Sequence, residues 1–105
     1  MSSSRQSLPA LASLAASALR TLADNTDVAG SSPGRTTADL LAADRSAAVR
    51  ALRDLATALG YGTTMARHAE AEAQIIAGAR AVVATPDAMR RWARAWDAWA
   101  AKQAA

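Results

Sequence analysis

The sequence predicts an all-α fold, a small up-and-down bundle of about four helices. Alanine, the residue with the highest helix propensity, fills 31 of the 105 positions. Apolar residues recur every three or four positions, and no segment sustains the alternation of apolar and polar residues typical of a strand. The length fits one small domain. We therefore expect a single helical domain over residues 7–105, preceded by a disordered tail over residues 1–6.

The first predicted helix spans residues 7–23. Pro9 falls in its first turn, where the missing amide of proline would have no helical partner anyway. The following segment, residues 24–36, is rich in glycine, serine and charged or amide side chains, and it contains Pro33. This composition is typical of a flexible linker.

The second predicted helix spans residues 38–59, with Thr36 or Thr37 as its capping residue. Gly60 follows the helix, and glycine readily adopts the left-handed conformation found after a helix end. The expected apolar stripe of this helix consists of Leu41, Ala48, Leu52, Leu55 and Leu59.

The third predicted helix spans residues 64–84 and is capped by Thr63 or Thr64. One apolar face extends along this whole segment. Its expected members are Met65, Ala69, Ile76, Ala79 and Val83, with Ile75 and Val82 beside them.

The fourth predicted helix spans residues 86–103. Thr85, Pro86 and Asp87 supply a capping hydroxyl, a proline at the first helical position and an acid in the first turn. The connections before the third and fourth helices are short, so neighbouring helices should be antiparallel.

The fourth helix carries a tryptophan stripe. At about 100° per residue, Trp92, Trp96 and Trp99 lie on one face of the helix. Two interpretations remain open: the rings fill the core, or they form a docking face for a partner, since Trp and Arg dominate interface hot spots. In either case the indole N–H groups need acceptors. The candidate partner-binding residues are Trp92, Trp96, Trp99, Arg91 and Met89.

The junction over residues 55–69 resembles the turn of helix-turn-helix DNA-binding motifs. Ala56 and Gly60 have the small-residue spacing that lets two helices cross closely. The resemblance implies that the second helix would enter the major groove with its first residues. The candidate DNA-binding residues are Thr63, Thr64, Arg67 and His68. A helical hairpin that only packs gives the same local sequence.

The sequence offers little for catalysis or metal binding. It contains no cysteine and one histidine, and no phosphate-binding loop or nucleophile motif is present. His68 and Glu72, one turn apart, supply at most two metal ligands. Glu72 is in register with the apolar stripe, so we expect it to be partly buried beside an arginine. We predict no enzyme activity, cofactor, metal or small-molecule substrate.

The expected function is that of a non-catalytic protein-interaction module, such as an adaptor, regulator or assembly component. It would bind a protein partner or a second copy through the fourth helix; DNA binding at residues 55–69 is the alternative, and a membrane surface is not favoured. We expect a cytoplasmic protein. Arg5, the apolar run from Leu8 to Leu14 and Ala16-Ser17-Ala18 resemble a secretion signal, but the apolar register continues to Leu22 through the would-be cleavage site.

Overall fold

The computed structural model describes residues 7–30, 37–79 and 82–104, and this part of the chain forms four helices without a strand. The all-α prediction is confirmed. The helices are α1 (Leu8–Gly30), α2 (Thr37–Leu59), α3 (Thr64–Ile76) and α4 (Pro86–Ala104).

The helices are antiparallel to their neighbours, and α1 lies between α4 and α2. Arg20 of α1 donates to Asp97 of α4 over 2.6 Å, and Asn25 of α1 donates to Asp44 of α2 over 2.7 Å. The third helix packs on α2. In the described residues, the backbones of α3 and α4 do not approach closely, and the side chains of Trp96 and Glu72 span the distance between them.

Small side chains let the helices approach each other closely. Twelve of the twenty buried hydrophobic residues in the described ranges are alanine. The largest fully buried side chains are Trp96, Leu19, Leu52, Leu55 and Met89. The core therefore depends on a few large groups set among alanine contacts, and each of them accounts for a large share of the buried apolar area.

The first helix is longer than predicted, since residues 24–30 are helical and not part of a linker. Tertiary contacts explain the difference. Ala29 is buried, and Asp24 and Asp27 accept hydrogen bonds from Arg90 over 2.8 and 2.6 Å. These long-range contacts outweigh the weak local helix propensity of the segment. The remainder of the predicted linker, residues 31–36, lies outside the described ranges, as does the predicted tail over 1–6.

The third helix is shorter than predicted. It ends at Ile76, and Gly78 follows with a positive φ of 82°. The amide of Gly78 donates to the Ile75 carbonyl and that of Ala79 to the Gln74 carbonyl, which is the hydrogen-bond pattern of a Schellman motif. Val82 and Val83, placed by the sequence on the apolar face of this helix, are therefore exposed in an irregular segment.

The other predicted helix ends agree closely with the structure. Thr63 accepts a hydrogen bond from the amide of Ala66, and Thr85 accepts one from the amide of Ala88, as expected for N-caps. Gly60 has a φ of 95° after the end of α2. None of the described helices is long and apolar enough to cross a membrane.

Candidate functional site: the seam between α3 and α4

The two sides of α4 have different neighbours. On one side, Arg90 and Asp97 form ion pairs with α1. The hydrogen bonds with Asp24 and Asp27 raise the pKa of Arg90 above its ordinary value, so the guanidinium stays charged. Trp92 and Trp99 lie roughly 40° and 60° around the helix from Trp96, on the side away from these ion pairs. That side lies toward α3, whose backbone does not approach that of α4 closely.

One side-chain hydrogen bond joins α4 to α3 in the described residues. The indole Nε1 of Trp96 donates to Oε1 of Glu72 on α3 over 2.8 Å. Trp96 is 2% exposed, and Glu72 is mostly covered. A glutamate on α3 is therefore hydrogen-bonded to the largest buried side chain of α4. We call the surface between Glu72, Trp92 and Trp99 the seam.

The position of Glu72 changes its acidity. Burial disfavours the charged carboxylate and raises the pKa of Glu72 from 4.5 to about 7, while the hydrogen bond from Trp96 lowers it in part. The sequence predicted an arginine beside Glu72. This prediction is wrong, because the hydrogen-bond partner of Glu72 is Trp96. Glu70, two residues earlier, has Arg53 beside it at 3.8 Å.

Two indole rings are partly exposed along the seam. Trp92 and Trp99 pack against the core but remain half-buried, and the rings of Trp96 and Trp99 meet edge to face with centroids 6.1 Å apart. Neither outer indole donates to an atom of the described residues. Since those residues contain no buried side-chain N or O atom without a partner, these two N–H groups are open to water.

Exposed cations flank the seam. Arg91 and Lys102 lie roughly 120° to 140° around α4 from Trp96, on the same side as Trp92 and Trp99. Both are exposed, and neither forms an ion pair within the described ranges. Arg90, by contrast, forms ion pairs with Asp24 and Asp27 of α1. The surface thus combines partly covered indoles with unpaired positive charge.

The candidate partner-binding residues fall into two groups. Met89 and Trp96 are buried, so they cannot contact a partner while α4 is packed on the rest of the bundle. Trp92, Trp99 and Arg91 have exposed surface. The sequence left open whether the stripe was core or docking face, and the structure buries Trp96 in the core while Trp92 and Trp99 keep exposed surface.

The candidate DNA-binding residues all lie at the start of α3. Thr63, Thr64, Arg67 and His68 are exposed, and Thr63 also donates to the carbonyl of Gly60, which fixes the turn. The two helices of this junction, α2 and α3, pack on each other. The turn between α2 and α3 therefore leaves all four candidate side chains accessible.

Glu72 is the site residue whose role the sequence did not identify. Its register with Met65, Ala69 and Ile76 indicated partial burial, but no local pattern named a partner 24 residues away. Among the described residues, no three His, Asp or Glu side chains are clustered in a way that could hold a metal ion. Comparison with models of known protein families, with curated proteins and with solved structures finds no match for this chain.

Proposed function

We propose that this chain is a non-catalytic helical interaction module of the cytoplasm, and that its seam binds an acidic, amphipathic helix of a partner protein. The observation that carries the proposal is the partial exposure of Trp92 and Trp99 on the side of α4 where its backbone does not approach that of α3. Helix recognition commonly uses apolar anchors from successive turns, and Trp92 and Trp99 are seven residues apart.

Apolar contact would supply the affinity. An aromatic side chain contributes about 150–250 Å² of surface when it is fully covered. Trp92 and Trp99 retain some exposed surface, so a partner helix would complete their burial. Their indole N–H groups would also find acceptors on an acidic side chain of the partner.

Charge supports an acidic partner over a second copy of this chain. Arg91 and Lys102 have no counter-charge among the described residues. Two copies that met face to face through the same patch would bring these cations together, because a twofold interface places each patch against itself. An acidic helix would instead be attracted and oriented by them.

Charge reversal at Arg91 tests the proposal. Bait proteins carrying Arg91→Glu should lose the partners that the wild type captures from its native host, as measured by affinity capture with mass spectrometry. Arg94→Glu is the matched control, because Arg94 is equally exposed but lies on the far side of α4. Identical partner sets for all three baits would contradict the proposal, as would light scattering that shows dimers disappearing in Arg91→Glu alone.

DNA binding through α3 is the second candidate function. Glu72 is turned into the seam by its bond with Trp96, and Glu70 has Arg53 nearby. The negative charge that the sequence places close to Arg67 is thus partly removed from the exposed start of α3. This observation favours an interaction of Arg67 and His68 with phosphates.

A gel mobility shift with duplex DNA over a range of salt concentrations tests this alternative. Arg67→Ala should weaken binding and reduce the slope of log affinity against log salt by about 0.9, the amount expected when one phosphate is no longer neutralised. Arg94→Ala, on the outer face of α4, should leave both unchanged. No mobility shift at low salt would eliminate the alternative.

A further inference from the structure

A cleft of about 650 Å³ opens at the end of the bundle where α1, α2, the end of α3 and the start of α4 meet. We call it the end cleft. Its volume falls in the range of about 300–1,000 Å³ that is usual for small-molecule sites. The floor consists of the buried side chains of Leu22, Leu41, Ile76 and Met89.

Two exposed valines form part of the wall. Val82 and Val83 are 57% and 82% exposed and lie in the irregular segment between α3 and α4. Because α3 ends at Ile76, with Gly78 at a positive φ just after it, neither valine lies on a helical face. A ligand with an apolar tail would cover them together with the floor, which is favourable in proportion to the area removed from water.

Among the described residues that line the end cleft, Arg45 is the cation. Arg45 of α2 is half-buried, and it makes no hydrogen bond or ion pair with any described residue. The neighbouring acid, Asp44, accepts from Asn25 of α1. A guanidinium that is partly removed from water has five donors in a geometry that matches a carboxylate. The described lining therefore combines an apolar floor with the guanidinium of Arg45.

We infer that the end cleft binds an apolar-tailed monocarboxylate, of the class of medium-chain fatty acids, with the carboxylate on Arg45 and the tail on the Leu22–Met89 floor. The ligand would be held and not transformed, because no nucleophile or acid–base pair lines the cleft among the described residues. This inference does not depend on the seam or on its partner.

Calorimetric titration of the intact protein with monomeric octanoate and decanoate tests the inference. Two additional CH₂ groups should make decanoate about 15-fold tighter than octanoate if the tail enters the cleft. Decanol, which lacks the charge, should bind at least about tenfold more weakly than decanoate.

Arg45→Gln should weaken decanoate binding by roughly 10- to 100-fold. Arg50→Gln is the matched control, because it removes the same charge from an exposed position of the same helix, outside the end cleft. Val83→Asp should also weaken binding, and the high exposure of Val83 means that the fold should tolerate the change.

Several results would overturn the inference. The first is no heat of binding up to millimolar decanoate. The second is an affinity that does not depend on tail length, and the third is equal weakening of decanoate binding by Arg45→Gln and Arg50→Gln. Binding to anionic phospholipid vesicles without any binding of monomeric decanoate would also overturn it, since that result would indicate a membrane surface as the ligand.

Discussion

Glu72 shows how one side chain in the seam couples stability to pH. Its carboxyl group is mostly covered and accepts from Trp96, and its pKa is about 7 in the folded protein against an ordinary value of 4.5. Between these two values the folded state binds more protons than the unfolded state. Stability must therefore fall as pH rises through this window.

We predict that the free energy of unfolding decreases by about 1–3 kcal/mol between pH 4.5 and pH 7.5 through Glu72. The contribution is fully present below pH 4.5 and absent above about pH 7. Urea denaturation at a series of pH values measures it. Glu72→Gln should flatten this dependence and raise stability at about pH 8, whereas Glu70→Gln should keep it. An unchanged profile in Glu72→Gln would show that another group is responsible.

The tryptophans differ in how much each should contribute to folding. Trp96→Ala should cost about 3–5 kcal/mol, because it leaves a cavity in a core that is otherwise mostly alanine. Trp99→Ala should cost only about 1–2 kcal/mol, since its ring is partly in water already. Chemical denaturation of both variants checks the order. Equal costs would mean that Trp99 belongs to the core as fully as Trp96 does.

Helix ends in this protein are set by two kinds of interaction, and only one of them is local. The starts of α3 and α4 depend on Thr63 and Thr85, whose hydroxyls lie beside the amides that they cap. The end of α1 depends on Arg90, which is 63 residues from Asp27 along the chain. Sequence patterns predicted the starts of α3 and α4 and missed the end of α1.

The end of α3 is set by a local signal that the apolar spacing obscured. Gly78 follows Ile76 and Ala77 as a C-cap glycine should, but the apolar spacing continues to Val83 and suggested a longer helix. A Schellman motif stops the helix even though the apolar spacing continues beyond it. The same limitation applies to the seam: spacing placed Glu72 near the apolar face, and only the fold paired it with Trp96.

Gly78→Ala should destabilise the protein by about 1–2 kcal/mol, because an L side chain is strained at a φ of 82°. A Cβ atom at this position would meet nothing within 4 Å, so the cost would come from the backbone alone. Gly78→Asn should cost less, since asparagine tolerates this conformation better. Thermal denaturation compares the three proteins. An alanine variant as stable as the wild type would contradict the assignment of this cap.

The whole molecule is held together unevenly. The first helix packs on both α4 and α2. Among the described helices, the backbone of α3 approaches only that of α2, and α3 contacts α4 through the hydrogen bond between Glu72 and Trp96. The third helix is also the shortest, with 13 residues. Detachment of α3 should therefore expose less buried surface to water than detachment of any other described helix.

We predict that α3 opens separately from the rest of the bundle. Native-state hydrogen exchange should give amides of α3 a lower opening free energy than the central amides of α1. Trp96→Phe, which removes the donor to Glu72 and keeps an aromatic ring, should lower the values of α3 more than those of α1. Equal values for both helices in the wild type would mean that the bundle unfolds only as a unit.

The position of α1 between its two neighbours also bears on synthesis. Because α4 covers the face of α1 that bears Arg20 and Asp24, α1 cannot complete its packing until residues 86–104 have been synthesised. Until then, the apolar surface of α1 that α4 will cover is available to other nascent chains and to chaperones. The contacts between α1 and α4 therefore form after α2 and α3 have been made.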